Sequence, residues 1–233
     1  MITKANIIDL CPSFLKNPVR RSMVKNGLGG MNPALISCGE TLVHAGMWRA
    51  ENMERWSKRA GKSGHAIIIE GDPKNFEILE FEKHRRRLSN VTLVHKAVWN
   101  EKGSVTFQSS TWSDFNKLQN SKTYSALEDG ASFDHIEVEA DTIDNILRDL
   151  NVHKVDHITL EVSGTELMTL EGMQDTINNN KGLRLFVRSI LLDDETKTPM
   201  YLKVHEKMKS MGLKVLKSPL EKARDGCNLY GMH

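Results

Sequence analysis

The chain has 233 residues, 39% of them hydrophobic and 27% charged, with a formal net charge of +2. Such a length and balance describe one large domain, or one domain with a small appendage, and exclude a globally basic nucleic-acid binder. Three scattered cysteines, Cys11, Cys38 and Cys227, exclude a disulfide framework or zinc knuckle and fit a reducing compartment.

The first residues are interrupted by Lys4 and Asp9 and hold no long apolar core, so no signal peptide is expected. No apolar run approaches the roughly 20 residues that span a bilayer. The expectation is a cytoplasmic protein with neither membrane nor nucleic acid as partner, and with room for a homo-oligomeric state. Residues 1–38 are poorly periodic and read as an N-terminal basic extension or flap. Its cations Lys16, Arg20, Arg21 and Lys25 precede the turn-rich stretch G-L-G-G-M-N-P at 27–33. They either meet an anionic substrate from a mobile flap or sit on a loosely docked, solvated leader.

Regular alternation occupies the domain at 39–233. Residues 41–46 read as a strand ending in glycine, and 49–61 as a helix with Ala50, Met53, Trp56 and Ala60 on one face and Gly61 as its stop. Ala66 to Ile69 form an unbroken apolar run, the pattern of a strand buried on both faces. It ends in Glu70, Gly71 and Asp72, and Pro73 suits a first helical turn. The helix that follows carries a basic tail at 84–87, which fits a helix C-terminus better than a phosphate site. Residues 91–98 read as another buried strand and 103–110 as an edge strand. The polar stretch 111–133 has the length of a lid or substrate loop.

A short strand at 135–140 leads to a helix at 141–150 with Asp141 as candidate N-cap. A strand at 157–162, a helix from Ser163, a strand at 183–187 and a helix at 199–211 follow. Two final strands join around residues 223–226 as a hairpin. Strand–helix alternation of this kind predicts a three-layer α/β, Rossmann-like fold with a mainly parallel sheet. Ligands then bind beyond the carboxyl ends of the strands, where the strand order reverses. An acid at the end of a buried parallel strand, here Glu70, is placed to hold the ribose hydroxyls of a nucleotide-type cofactor.

The segments N-V-T-L-V-H-K-A-V-W-N-E-K-G-S-V-T-F (90–107), E-G-D-P-K-N-F-E-I-L (70–79), D-T-I-D-N-I-L (141–147) and L-E-V-S-G-T-E-L-M-T-L-E-G-M (160–173) resemble the FkbM-type S-adenosylmethionine-dependent methyltransferases. The resemblance is collinear over roughly residues 40–217. It implies a seven-stranded class I methyltransferase sheet with a C-terminal antiparallel hairpin. It also implies S-adenosyl-L-methionine as cofactor and methyl transfer to a hydroxyl of a small molecule or glycan. Carried over, Glu70 takes the ribose hydroxyls beside Gly71 and Asp72, and Ala97 and Val98 border the adenine. Ala45 and Gly46 form the first cofactor loop. Glu161 faces the methionine end and the acceptor.

The first cofactor motif departs from the family pattern V-D-V-G-A-N-I-G. Here the run is V-H-A-G-M-W-R-A, with His44 in place of the acid and Met47, Trp48 and Arg49 where small residues belong. Glycines serve such a loop because backbone must approach the ligand with no Cβ between them. If Trp48 fills that space, the alternative reading is a non-catalytic binding or partner protein on the same fold. His44 is either a general base near the methyl group or a hydrogen-bonded structural histidine. Ser163 either contacts substrate or forms a capping box with Glu166. Arg188 either binds an anionic substrate or pairs with Glu161. No metal site is expected, since His153 and His157 do not share a helical face.

Overall fold

The computed structural model describes residues 7–26, 35–47, 49–110, 117–118, 123–124, 133–193, 195–219 and 226–233. Helices α1 (Ile7–Leu10) and α2 (Ser13–Lys25) come first, then β1 (Thr41–Ala45), α3 (Ala50–Ala60), β2 (His65–Glu70) and α4 (Pro73–Arg86). Next are β3 (Val91–His95), β4 (Ala97–Val98), β5 (Gly103–Ser110), β6 (Lys117–Leu118), β7 (Thr123–Tyr124) and β8 (Phe133–Asp141). After α5 (Ile143–Asp149) come β9 (His157–Leu160), α6 (Glu166–Glu171), α7 (Gln174–Asn179) and β10 (Arg184–Ser189). The chain closes with β11 (Leu192–Asp193), α8 (Tyr201–Ser210), β12 (Lys214–Pro219) and β13 (Cys227–Met232).

Seven strands make the main sheet, in the order β12-β13-β10-β9-β1-β2-β3. The five from β10 to β3 run parallel, and β13 lies antiparallel between β10 and β12. Because side chains alternate across a strand, β2 sends Ile67 and Ile69 to one face and Ala66 and Ile68 to the other. The first face is covered by α5 to α8, through Ile146, Leu170, Ile177 and Val204. The second is covered over β1 to β3 by Met53 and Trp56 of α3 and Leu79 of α4. The result is the expected three-layer α/β sandwich, with β2 between β1 and β3 and the C-terminal pair antiparallel.

The segment 91–98 departs from the single strand expected of it. It breaks at Lys96, and β4 joins a second sheet of order β4-β8-β5-β6. A lysine carried on in the central sheet would bury its charge; here its amine reaches Glu139 at 2.8 Å and Asp141 at 3.0 Å on β8. The described part of the N-terminal segment also differs from a loosely docked leader. Ile8 and Val24 pack with Phe186, Tyr230 and Met232, and Arg20 is only 2% exposed. Its guanidinium donates to the Leu35 carbonyl, to Ser37 and to Glu40, each at 2.8 Å. Arg20 thus ties α2 to the main domain rather than facing a substrate. The turn-rich stretch 27–33 lies outside the described residues.

Candidate cofactor and acceptor site

Strand order reverses between β1 and β9, and sheets of this kind bind ligands beyond the carboxyl ends of the strands at such a point. Main-chain bonds hold three strand ends together there. The Gly46 amide donates to the Ile69 carbonyl at 2.9 Å, and the Glu161 amide donates to the Ala45 carbonyl at 2.9 Å. Gly46 has φ +84°, and a Cβ at that position would overlap the Glu161 carbonyl. A glycine is required on both counts, for the left-handed backbone and for the close approach. Ala45, Gly46 and Glu161 are therefore neighbours.

One strand over, β2 ends in Glu70, which is 5% exposed. Its carboxylate accepts from the Asp72 amide at 2.8 Å, and burial pushes its pKa up to about 8. Asp72 is fully buried and caps α4, accepting from the Asn75 amide at 3.0 Å. Pro73 occupies the first turn of that helix. Gly71 packs its Cα side against Ala97: an added Cβ would stand 3.2 Å from the Ala97 Cα. The fold so brings Gly71, between Glu70 and Asp72, against Ala97 at the start of β4.

His44 lies elsewhere. It is 1% exposed on the sheet face covered by α3, with its ring edge-on to Trp56 at 5.8 Å between centroids. Burial without a compensating charge drives its pKa down to about 3, so the imidazole is neutral. Neither ring nitrogen has a hydrogen-bond partner among the described residues, so no hydrogen-bonded structural histidine forms there with them. Met47 is 1% exposed in the same cluster as Trp56, turned into the core under α3. Arg49 is exposed at the start of α3, and Trp48 lies outside the described residues.

The loop after β9 corrects a second expectation. Ser163 and Glu166 make no capping box: the N-cap of α6 is Thr165, and Ser163 is held at φ +32°, ahead of Gly164 at φ +94°. Non-glycine residues at positive φ store strain, and such strain gathers at ligand sites. Glu166, which the capping pattern disguised, is 1% exposed, with its pKa pushed up to about 7 by burial. At the end of β10, the Ser189 hydroxyl is buried beside it. Arg188 forms no ion pair with Glu161.

A Rossmann-like sheet with an acid at the end of its second strand is an arrangement on which many α/β proteins bind nucleotide-type cofactors. The profile of the methyltransferase FkbM domain matches residues 42–213, and the chain belongs to that methyltransferase family. Among solved structures, the fold is shared with a SAM dependent methyltransferase from Aquifex aeolicus. The identity is 13% over 99% of this chain and 98% of that one, with a TM-score of 0.50. Aeropyrum pernix fibrillarin, solved with natively bound S-adenosyl-L-methionine, aligns at a TM-score of 0.52 and 13% identity over 84% of this chain and 67% of its own. No curated protein matches the chain.

Proposed function

We propose that the chain binds S-adenosyl-L-methionine and methylates a hydroxyl of a small molecule or glycan. The observation that carries this reading is Glu70, a buried carboxyl at the end of β2 with no cationic partner among the described residues. The Gly71 and Asp72 amides already donate to it and hold it at the strand end, where two ribose hydroxyls would add further hydrogen bonds to a carboxyl that no cation of the described residues occupies. The Gly46 turn, closed on the Glu161 carbonyl, and the contact of Gly71 with Ala97 keep side chains out of the loops that would border the same cofactor. Met47 packs away from that space, which removes one of the bulky replacements as an obstacle.

Glu70 would hold the ribose, Asp72 would keep α4 capped beside it, and Ala97 and Val98 would border the adenine. Ala45, Gly46 and Glu161 would line the methionine end. When bound, the cofactor supplies an electrophilic methyl group on sulfur. The protein's part is to hold the acceptor hydroxyl in line and to receive its proton. Glu161, at the crevice, is the carboxylate we assign to that proton. His44 is left out of the assignment, because a neutral ring packed against Trp56 beneath α3 is turned away from the crevice.

The acceptor side is served by Ser163 and Arg188, which sit at the ends of β9 and β10. The test is release of S-adenosylhomocysteine with a panel of hydroxylated small molecules and glycans, the product read by mass spectrometry for an O-methyl group. Cofactor binding without O-methylation of any acceptor would favour the non-catalytic reading instead.

A further inference from the structure

The charge on the acceptor can be read from β10. Arg188 is half-buried at its carboxyl end, with Nε enclosed and unpartnered. Neither a hydrogen bond nor an ion pair to Arg188 forms with any described residue. The neighbouring arginine on the same face of β10 shows the contrast. Arg184 meets Glu40 through two nitrogens, at 2.5 and 3.1 Å. A guanidinium taken partly out of water is costly without a counter-charge, and its five donors suit the two oxygens of an oxyanion.

Asn228 on β13 stands directly opposite Arg188, so their side chains share one face. Its Oδ1 is also buried and unpartnered, although the two residues are neighbours. Two unmet polar groups therefore flank one spot beyond the carboxyl edge of the sheet. Glu161, the first residue past the neighbouring strand β9, makes no ion pair with Arg188. Past β10 the chain turns into β11, which pairs antiparallel with β7. A piece of the long polar stretch is thereby anchored beside the same end of the sheet.

We propose that Arg188, with Asn228 beside it, binds an anionic group on the methyl acceptor, a carboxylate, phosphate or sulfate. This rests on the methyltransferase reading for the word acceptor, but the anion site itself does not need it. The guanidinium would make a charge-assisted pair of bonds to the anion, and the amide of Asn228 would orient any hydroxyl or protonated oxygen next to it. The acceptor would then be an acid bearing the hydroxyl to be methylated, held by its charge at β10 with the hydroxyl toward β9.

The test uses thermal melting of the full chain in sodium phosphate, sulfate or acetate, each against sodium chloride at matched ionic strength. Wild type and Arg148→Gln, a change on the exposed surface of α5, should be stabilised by at least one oxyanion. Arg188→Gln should need at least tenfold more of that anion for the same shift. Which salt acts most strongly separates carboxylate from phosphate or sulfate as the recognised group. Equal responses in all three proteins, or none in wild type, would overturn the proposal. Should Arg188→Gln fail to fold, Asn228→Asp serves in its place, since a carboxylate opposite Arg188 must occupy the guanidinium and abolish the response. An undiminished response there would also overturn it. Titration of the same proteins with S-adenosylhomocysteine keeps the two readings apart. Loss of that binding with an intact Arg188-dependent anion response counts against the cofactor assignment alone.

Discussion

Glu70 and Glu166 release their protons at higher pH than ordinary carboxyls, and the cause in both is burial. The folded protein keeps them from pH 4.5 up to about 8 and about 7, whereas the unfolded chain releases them near 4.5. Their contribution to folding stability is therefore fully present below 4.5 and is drained as pH rises through those windows. Glu166→Gln should stabilise the protein more at pH 8 than at pH 5, as read by urea midpoints; equal gains at both would show that the acid is not desolvated. His44 has the opposite sign. Its folded pKa of about 3 lies below the free value of 6.5, so stability is lost as pH falls across that interval. His44→Leu should shift the acid midpoint to lower pH, and an unmoved midpoint would contradict a neutral buried ring. Glu70 was legible because an acid closes a β-branched run. Glu166 was not, because S-x-x-E is also the signature of a cap, and only the backbone at Ser163 reveals that the helix begins two residues later.

Elements were legible where periodicity is long, and less so where a side chain ends or bends them. The α5 helix starts from Thr142, whose hydroxyl accepts from the Asn145 amide at 3.0 Å. Asp141, the expected cap, is instead fully buried, accepting from Lys96 at 3.0 Å and from the Thr142 amide at 2.9 Å. Thr142→Ala should cost about 1 kcal/mol in urea unfolding. A cost near zero would mean that the cap assignment is wrong. The break of 91–98 into β3 and β4 has the same origin, since the partners of Lys96 lie on β8, some forty positions along the chain. The turn after β1 is stricter still. Gly46→Ala, strained at positive φ and in conflict with the Glu161 carbonyl, should cost about 2 kcal/mol or more. Gly182→Ala, where nothing lies within 4 Å, is the matched control.

At the scale of the molecule, the parallel order was legible because five apolar runs alternate with helical spacings, and short right-handed crossovers leave few topologies. The docking of the N-terminal helices was not, because it depends on one buried charge cluster assembled from distant positions. Glu40 joins Arg20 at 2.8 Å to Arg184 at 2.5 Å, with both guanidinium groups 3% exposed. Removing Glu40 leaves two buried cations, whereas removing Arg20 leaves one balanced pair. Glu40→Ala should therefore destabilise more than Arg20→Leu, by about 3–5 kcal/mol against wild type. The reverse ranking would contradict the cluster as drawn.

Near the point where the strand order reverses, Glu70 is a buried acid with no cation paired to it among the described residues. Calorimetric titration with S-adenosylhomocysteine, on wild type and Glu70→Ala, tests that most directly. Wild type should bind, more tightly at pH 8 than at pH 6 because Glu70 must ionise to accept both ribose hydroxyls. Glu70→Ala should bind roughly tenfold more weakly or worse, with that pH dependence gone. No binding by wild type at millimolar ligand, or equal affinity in the two proteins at both pH values, would contradict the account.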